Sequence, residues 1–169
     1  AAIERAPNGY TMGAYAKTLE DMERLDEAGE WYARATHEFS PPFIESCYNV
    51  AQVQIRLRQL ELAIENGTNA LQNGCPPDAE LVGPIGLAMA MTGDWRGARE
   101  ILDGINRDPR GEIKVVRLAL DCEAGDFDSL REMAGTLSTT HPLVAQVRTI
   151  LLHGGAKNAL RQLQDMSED

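Results

Sequence analysis

The chain has 169 residues, 43% hydrophobic and only 5% aromatic, which suits either one ordinary domain or a run of small units with closely packed cores. A net charge of −10 disfavours a general affinity for nucleic acid or anionic membrane. No apolar run approaches the roughly 18 residues that cross a bilayer, so direct membrane insertion is not expected. Cys47, Cys75 and Cys122 are too widely spaced for a Cys-x-x-Cys site, and an odd number cannot all pair within the chain; they read as small core residues.

The opening, Ala1 to Gly9, has no signal-peptide shape. It reads as the tail of a helix stopped by Pro7-Asn8-Gly9, and the chain as a soluble piece of something longer, cytoplasmic or periplasmic. Thr11 to Met22 then carries a helical stripe of Met12, Tyr15, Ala16, Leu19 and Met22. Its partner, Asp26 to Phe39, places Ala28, Trp31, Tyr32 and Ala35 on one side, and Ser40-Pro41-Pro42 ends it. Ile44 to Leu57 turns Cys47, Val50, Ala51 and Gln54 inward, Leu60 to Gln72 returns, and Asn73-Gly74-Cys75-Pro76-Pro77 punctuates.

The third pair is the clearest. Glu80 to Met91 runs Val82, Ile85, Gly86 and Met89, with Pro84 placed within about the first turn, where proline is tolerated; Thr92-Gly93-Asp94 turns, and Trp95 to Ile105 goes back. After a loop at Asn106 to Gly111, Glu112 to Glu123 has Val115, Leu118, Ala119 and Cys122 in phase, and Phe127 to Leu137 returns. Pro142 to His153 and Ala156 to Met166 close the chain before a polar Ser167-Glu168-Asp169. Nothing alternates like a strand, and no stretch is left for a linker or a second domain.

These pairs repeat. Gly93-Asp94-Trp95 leading to Ala98 has counterparts leading to Ala28, Ala63, Leu130 and Ala159. Ala28 to Ala63 and Ala63 to Ala98 are each 35 residues apart, Ala98 to Leu130 is 32, and Leu130 to Ala159 is 29. A period in the thirties holding two helices means stacked helix hairpins, with regularity falling off toward the end of the array.

At this point the residues resemble the tetratricopeptide repeat family. The third hairpin carries the pattern through Val82, Ile85, Gly86, Met89, Gly93, Asp94, Trp95, Ala98 and Leu102. The first carries it through Met12, Tyr15, Ala16, Leu19, Leu25, Ala28, Tyr32 and Ala35. Ala2 and Pro7 stand where a preceding repeat would end. The second repeat departs from the pattern with Gly67 where an aromatic is usual, and the fourth with Leu130 where Ala is usual. The resemblance implies an all-α, right-handed superhelical solenoid of about five helix-turn-helix repeats. They run 9–41, 44–76, 79–110, 112–139 and 141–169, the last two degenerate, with 1–8 the tail of another. Small residues at Ala16, Ala51, Gly86, Ala28, Ala63 and Ala98 would let paired helices approach closely.

The resemblance further implies that the first helices line a concave groove that takes a peptide or protein segment. The outward positions are Tyr10, Lys17, Glu20 and Asp21; Glu45, Tyr48, Asn49, Gln52 and Arg56; and Leu87 and Met91. Tyr48, Asn49 and Gln52 have the chemistry to grip a peptide, Asn49 through two backbone hydrogen bonds; ordinary solvated helix residues would look the same. The family's clamp for acidic chaperone tails is not matched. Gly13 and Pro84 occupy two clamp positions, Lys17 stands where Asn is expected and Glu80 where Lys is; only Asn49 agrees. The first repeat instead carries Glu20, Asp21, Glu23, Asp26, Glu27 and Glu30, which suits a basic partner segment or simply a solvated helix end.

No catalytic, cofactor or metal residues are expected. His37, His141 and His153 lie in different repeats, and Gly93-Asp94 and Gly154-Gly155 join helices without opening a phosphate loop. The serines lack a nucleophile elbow, and carboxylate pairs such as Glu20 and Asp21 read as surface. The expectation is a non-enzymatic scaffold for protein–protein interaction. The excess of Arg over Lys and the Ala-rich style suggest a bacterial protein of envelope assembly, in pilus formation, secretion or polysaccharide export. Two alternatives are a self-associating homo-oligomer packing through an edge at Ala2 and Ile3, and the regulatory arm of an enzyme whose catalytic domain lies elsewhere.

Overall fold

The structure, a computed structural model, describes residues 8–108 and 111–167. The expected leading tail, with Ala2, Ile3 and Pro7, lies outside the described residues. Among those described, all regular structure is helical: α1 (Gly9–Asp21), α2 (Leu25–His37), α3 (Ile44–Arg56), α4 (Leu60–Gln72), α5 (Ala79–Met91), α6 (Trp95–Leu102), α7 (Glu112–Glu123), α8 (Asp128–Ala134), α9 (Pro142–His153) and α10 (Lys157–Ser167). The all-α expectation holds.

One turn recurs between the members of each pair. It places a left-handed residue second in a connection of three residues, or of four between α7 and α8: Glu23 (φ 57°), Arg58 (59°), Gly93 (86°), Gly125 (91°) and Gly155 (72°). Each time the next N–H reaches back to the fifth residue before it: Arg24 to Leu19, Gln59 to Gln54, Asp94 to Met89, Asp126 to Asp121 and Ala156 to Leu151, all at 2.9 Å. This ties up a carbonyl that the helix end would leave without a partner. Three turns use glycine, which meets no Cβ penalty there; Glu23 and Arg58 bear that penalty.

Start signals are equally local. Asn8 caps α1 by accepting from Thr11 N at 2.9 Å while Thr11 Oγ1 accepts from Asn8 N at 3.1 Å, a reciprocal box. Asp94 caps α6 through Gly97 N at 2.9 Å. Asp108 reaches two donors of α7, Ile113 N at 3.3 Å and Lys114 N at 2.7 Å. His141 caps α9 ahead of Pro142.

The chain divides into two compact units, 1–85 and 86–169, with the division inside α5. In the first, α1 packs on α2, α2 on α3 and α3 on α4. Met12, Leu19, Tyr32, Val50 and Val53 fill its core, each buried aliphatic side chain stabilising by about 1.5–3 kcal/mol. Ala16, Ala28, Ala51 and Ala63 are wholly buried at the crossings. Gly67 is explained by its neighbour: a methyl built on it would stand 2.5 Å from Ile85 Cγ1, so Ile85 occupies the space a side chain would need.

In the second unit α7 packs on α9, with α6, α8 and α10 around them. Ala88, Ala98, Ile113, Val116, Leu130, Val147, Leu151 and Leu163 are buried. Arg117 donates to Leu102 O at 2.8 Å and Ile105 O at 2.6 Å, satisfying carbonyls where α6 ends, and Arg99 donates to Leu120 O.

Several expectations need correction. Cys47 and Cys75 are not merely small core residues: they form a disulfide, 28 residues apart in sequence, tying α3 to the segment after α4. Cys122 alone stays a buried thiol, pushed up to about 12 by burial, with Asp121 and Asp126 adding to the shift. Tyr15 and Met22, read as part of the inward stripe, are 36% and 60% exposed. Tyr15 lies edge-on to the half-buried Trp31, and Met22 is already in the turn. Pro84 is the sixth residue of α5 rather than a first-turn residue, and it supplies no N–H to that ladder. α6 stops at Leu102, where Asp103 turns extended, and α8 stops at Gly135 (φ 69°), both earlier than hydrophobic phase suggests.

Two outcomes check this account. The unfolded, unreduced chain should titrate one thiol and the reduced chain three; three before reduction would contradict the disulfide. Replacing both partners (Cys47→Ser, Cys75→Ser) should lower unfolding free energy by about 3–4 kcal/mol, measured by denaturant titration. Arg58→Gly should raise stability by about 1 kcal/mol, because an exposed residue leaves the left-handed region to glycine; no gain in Tm would contradict the turn.

Candidate functional site

The expected groove residues fall into two settings, one in each unit. In the first unit the outward side of α1 and α3 is polar, and its groups are largely bonded to one another. Tyr32, buried on α2, donates its hydroxyl to Glu20 Oε2 at 2.9 Å. Arg56 Nη1 donates to Glu20 Oε1 at 2.6 Å, and its Nη2 lies 3.6 Å from Glu23. Asn49 Nδ2 approaches the Tyr32 hydroxyl at 3.4 Å. Lys17 pairs with Asp21 and lies 3.9 Å from Glu20. Three expected site residues, Lys17, Asn49 and Arg56, therefore meet at Glu20 and Tyr32.

Tyr48, also expected to grip a ligand, donates to Asp78 Oδ2 at 2.9 Å, which raises its pKa. Gln52 is half-buried, and its Nε2 has no hydrogen-bond partner. Glu45 is exposed. Tyr10, 64% exposed, sits edge-on to Phe43 with centroids 5.1 Å apart. The strip is a polar surface on which Lys17 and Arg56 pair with Glu20, Asp21 and Glu23, and Arg24 on Glu27 and Arg34 on Glu38 are further exposed pairs of the same unit.

In the second unit the setting is apolar. Leu87 and Met91 of α5 face a cleft of about 400 Å³ shared with α7 and α9. Val115, Glu112 and Gly111 form the α7 wall, and Ile150, Thr149 and Gln146 the α9 wall. Leu87, Met91 and Val115 are half-buried, as expected for an apolar surface that is accessible without being open. The sequence assigned Val115 to the core, and Gln146, Thr149 and Ile150 to no role. The available signal was continuation of the first-helix outward face into the fourth and fifth hairpins.

A larger cleft of about 700 Å³ lies beside α6 and α7, with Arg99, Arg117, Asp103 and Asp121 among its walls. Its arginines are engaged on the Leu120, Leu102 and Ile105 carbonyls, so its polar groups hold the backbone together. Burial raises the Asp121 pKa first, with Asp126 adding to it. Among the described residues no three metal-binding side chains cluster, and no helix is long and apolar enough to cross a membrane.

Comparison with protein-family models, with curated proteins and with solved structures finds no match.

Burial first, and then the bond to Glu20, raise the Tyr32 pKa well above the ordinary 10.0. The folded chain thus holds this proton more tightly than the unfolded chain. The stabilisation is complete below about pH 10 and is lost as pH rises past it. Tyr32→Phe should cost about 1.5 kcal/mol at pH 7 and flatten the loss of stability above pH 10. Denaturant unfolding at both pH values checks this; an unaltered pH slope would contradict it.

Proposed function

We propose that this chain is a non-enzymatic scaffold of the tetratricopeptide type, a right-handed superhelical array of about five hairpins, holding a segment of another protein. Support for the repeat reading comes from the same turn recurring with its left-handed residue at Glu23, Arg58, Gly93, Gly125 and Gly155, within one residue of the spacing of the sequence markers. The observation that carries the docking function is the cleft of Leu87, Met91, Val115 and Ile150, assembled from three first helices. A partly open apolar cleft with a few polar groups at its edge is the usual form of a recognition site, and a peptide's apolar side chains are its natural content. The polar strip of the first unit, already internally bonded, would contribute less.

The Cys47–Cys75 bond favours an oxidising compartment, which supports the periplasmic side of the two expected locations and agrees with a role in envelope assembly. Selection from a random displayed-peptide library on the full chain tests the function. The native chain should enrich a peptide family, and Leu87→Glu with Met91→Glu should weaken those peptides by about tenfold or more while leaving the helical circular dichroism intact. Undiminished binding would reject the cleft as the site.

A further inference from the structure

Residues 73–78 carry the chain from α4 to α5, and the Cys47–Cys75 bond holds them against α3. Pro76 and Pro77 have no N–H to give, and exposed Gly74 (φ 97°) meets nothing within 4 Å of where a Cβ would stand. Two side-chain hydrogen bonds tie the same segment to α2 and α3. Asn73 Nδ2 donates to Thr36 O at 3.2 Å, and the Tyr48 hydroxyl donates to Asp78 Oδ2 at 2.9 Å.

The disulfide and the Tyr48 bond are one assembly. Cys47 and Tyr48 are neighbours on α3, and Cys75 and Asp78 stand on either side of the two prolines, so the sulfur bridge delivers Asp78 to the Tyr48 hydroxyl. With the bridge intact, most of the ordering of the segment is already done when that hydrogen bond forms. With the bridge cut, the hydrogen bond has to order the segment itself, and its net worth is comparable with the cost of fixing one or two loop residues. Asp78 has other work to return to: its Oδ1 accepts from Glu80 N at 3.2 Å and its carbonyl from Val82 N at 2.9 Å, so the start of α5 keeps its acceptor.

We propose that Cys47–Cys75 is a redox latch on the outward side of α3: the intact bond holds Tyr48 on Asp78, and reduction by a dithiol lifts the segment and frees the Tyr48 hydroxyl as a donor beside Asn49. Cys75, 3% exposed against none for Cys47, is the sulfur reached as the segment moves. One thiolate of the dithiol attacks Cys75 Sγ, and Cys47 leaves as a thiolate and takes a proton. The second thiolate then displaces Cys75, which takes a proton in turn; the dithiol ends as a disulfide and the chain as two thiols. The latch lies wholly in the first unit and does not rest on the cleft proposed above for docking.

The test treats the full chain with dithiothreitol without denaturant. Alkylation and mass measurement should show free thiols rising from one to three while the helical circular dichroism is retained. The rate of reduction should respond to small additions of urea far less steeply than global unfolding does, as expected of a local opening. In the oxidised chain the bond to Asp78 holds the Tyr48 phenol above its ordinary pKa. Its ring resonance, identified by its loss in Tyr48→Phe, should therefore titrate at lower pH after reduction. Cys47→Ser with Cys75→Ser should show that lower titration with no dithiol present. Reduction that proceeds only with unfolding, or that costs the chain its helical signal, overturns the latch and leaves a purely structural bond. A Tyr48 titration that is the same in the oxidised, reduced and doubly substituted chains overturns it as well.

Discussion

The close approach of helices at points without side-chain bulk is the constraint from which the rest follows. Ala16, Ala28, Ala51, Ala63 and Ala98 have no exposed surface, and Gly67 and Gly86 receive Ile85 and Leu102 where a Cβ would stand. Dispersion and apolar burial favour such contact only if backbone axes come near enough for large residues on one helix to fill the gaps on the next. With few aromatics, this chain obtains its core from that interleaving. The five turns keep successive helices in register by giving the last carbonyls of each first helix the same partner.

The same constraint divides the labour between the two outward settings. In the first unit Glu20 stands between the Tyr32 hydroxyl and the Arg56 guanidinium, so the polar strip spends its hydrogen bonds on holding α1, α2 and α3 together. In the second unit the contact of Gly154 with Ala90 and Trp95 draws α9 toward α5, and the apolar residues between them are left facing a cleft. A cleft thus lies beside the point where these helices meet.

Much of this was legible in the residues and some was not. Period and punctuation placed α3, α4, α7 and α9 to within a residue, because Pro, Gly and the apolar phase act locally. The early ends of α6 and α8 were hidden, since Ile105 and Leu137 continue the apolar phase while Gly104 and Gly135 break the backbone. The Cys47–Cys75 bond joins residues whose proximity depends on how α3 and α4 pack, which spacing does not reveal. Glu20 and Arg56 are 36 positions apart, so their pairing depends on tertiary placement. Val115 was assigned to the core for a simple reason: an apolar side chain facing a cleft has the same sequence signature as one facing a core. Leu87 and Met91 were reached only because the outward face of α5 could be followed from the repeat.

The most direct check of the central claim is proton NMR on the folded chain. Close approach predicts nuclear Overhauser contacts from the Gly67 α-protons to the Ile85 methyl groups and from Gly86 to Leu102. It also predicts strong ring-current shifts of the Gly154 α-protons by Trp95. Finding all three would place the helices at the predicted crossings. Their absence, with Gly154 at ordinary shifts, would mean that the helices stand apart and that the cleft they are said to build does not exist.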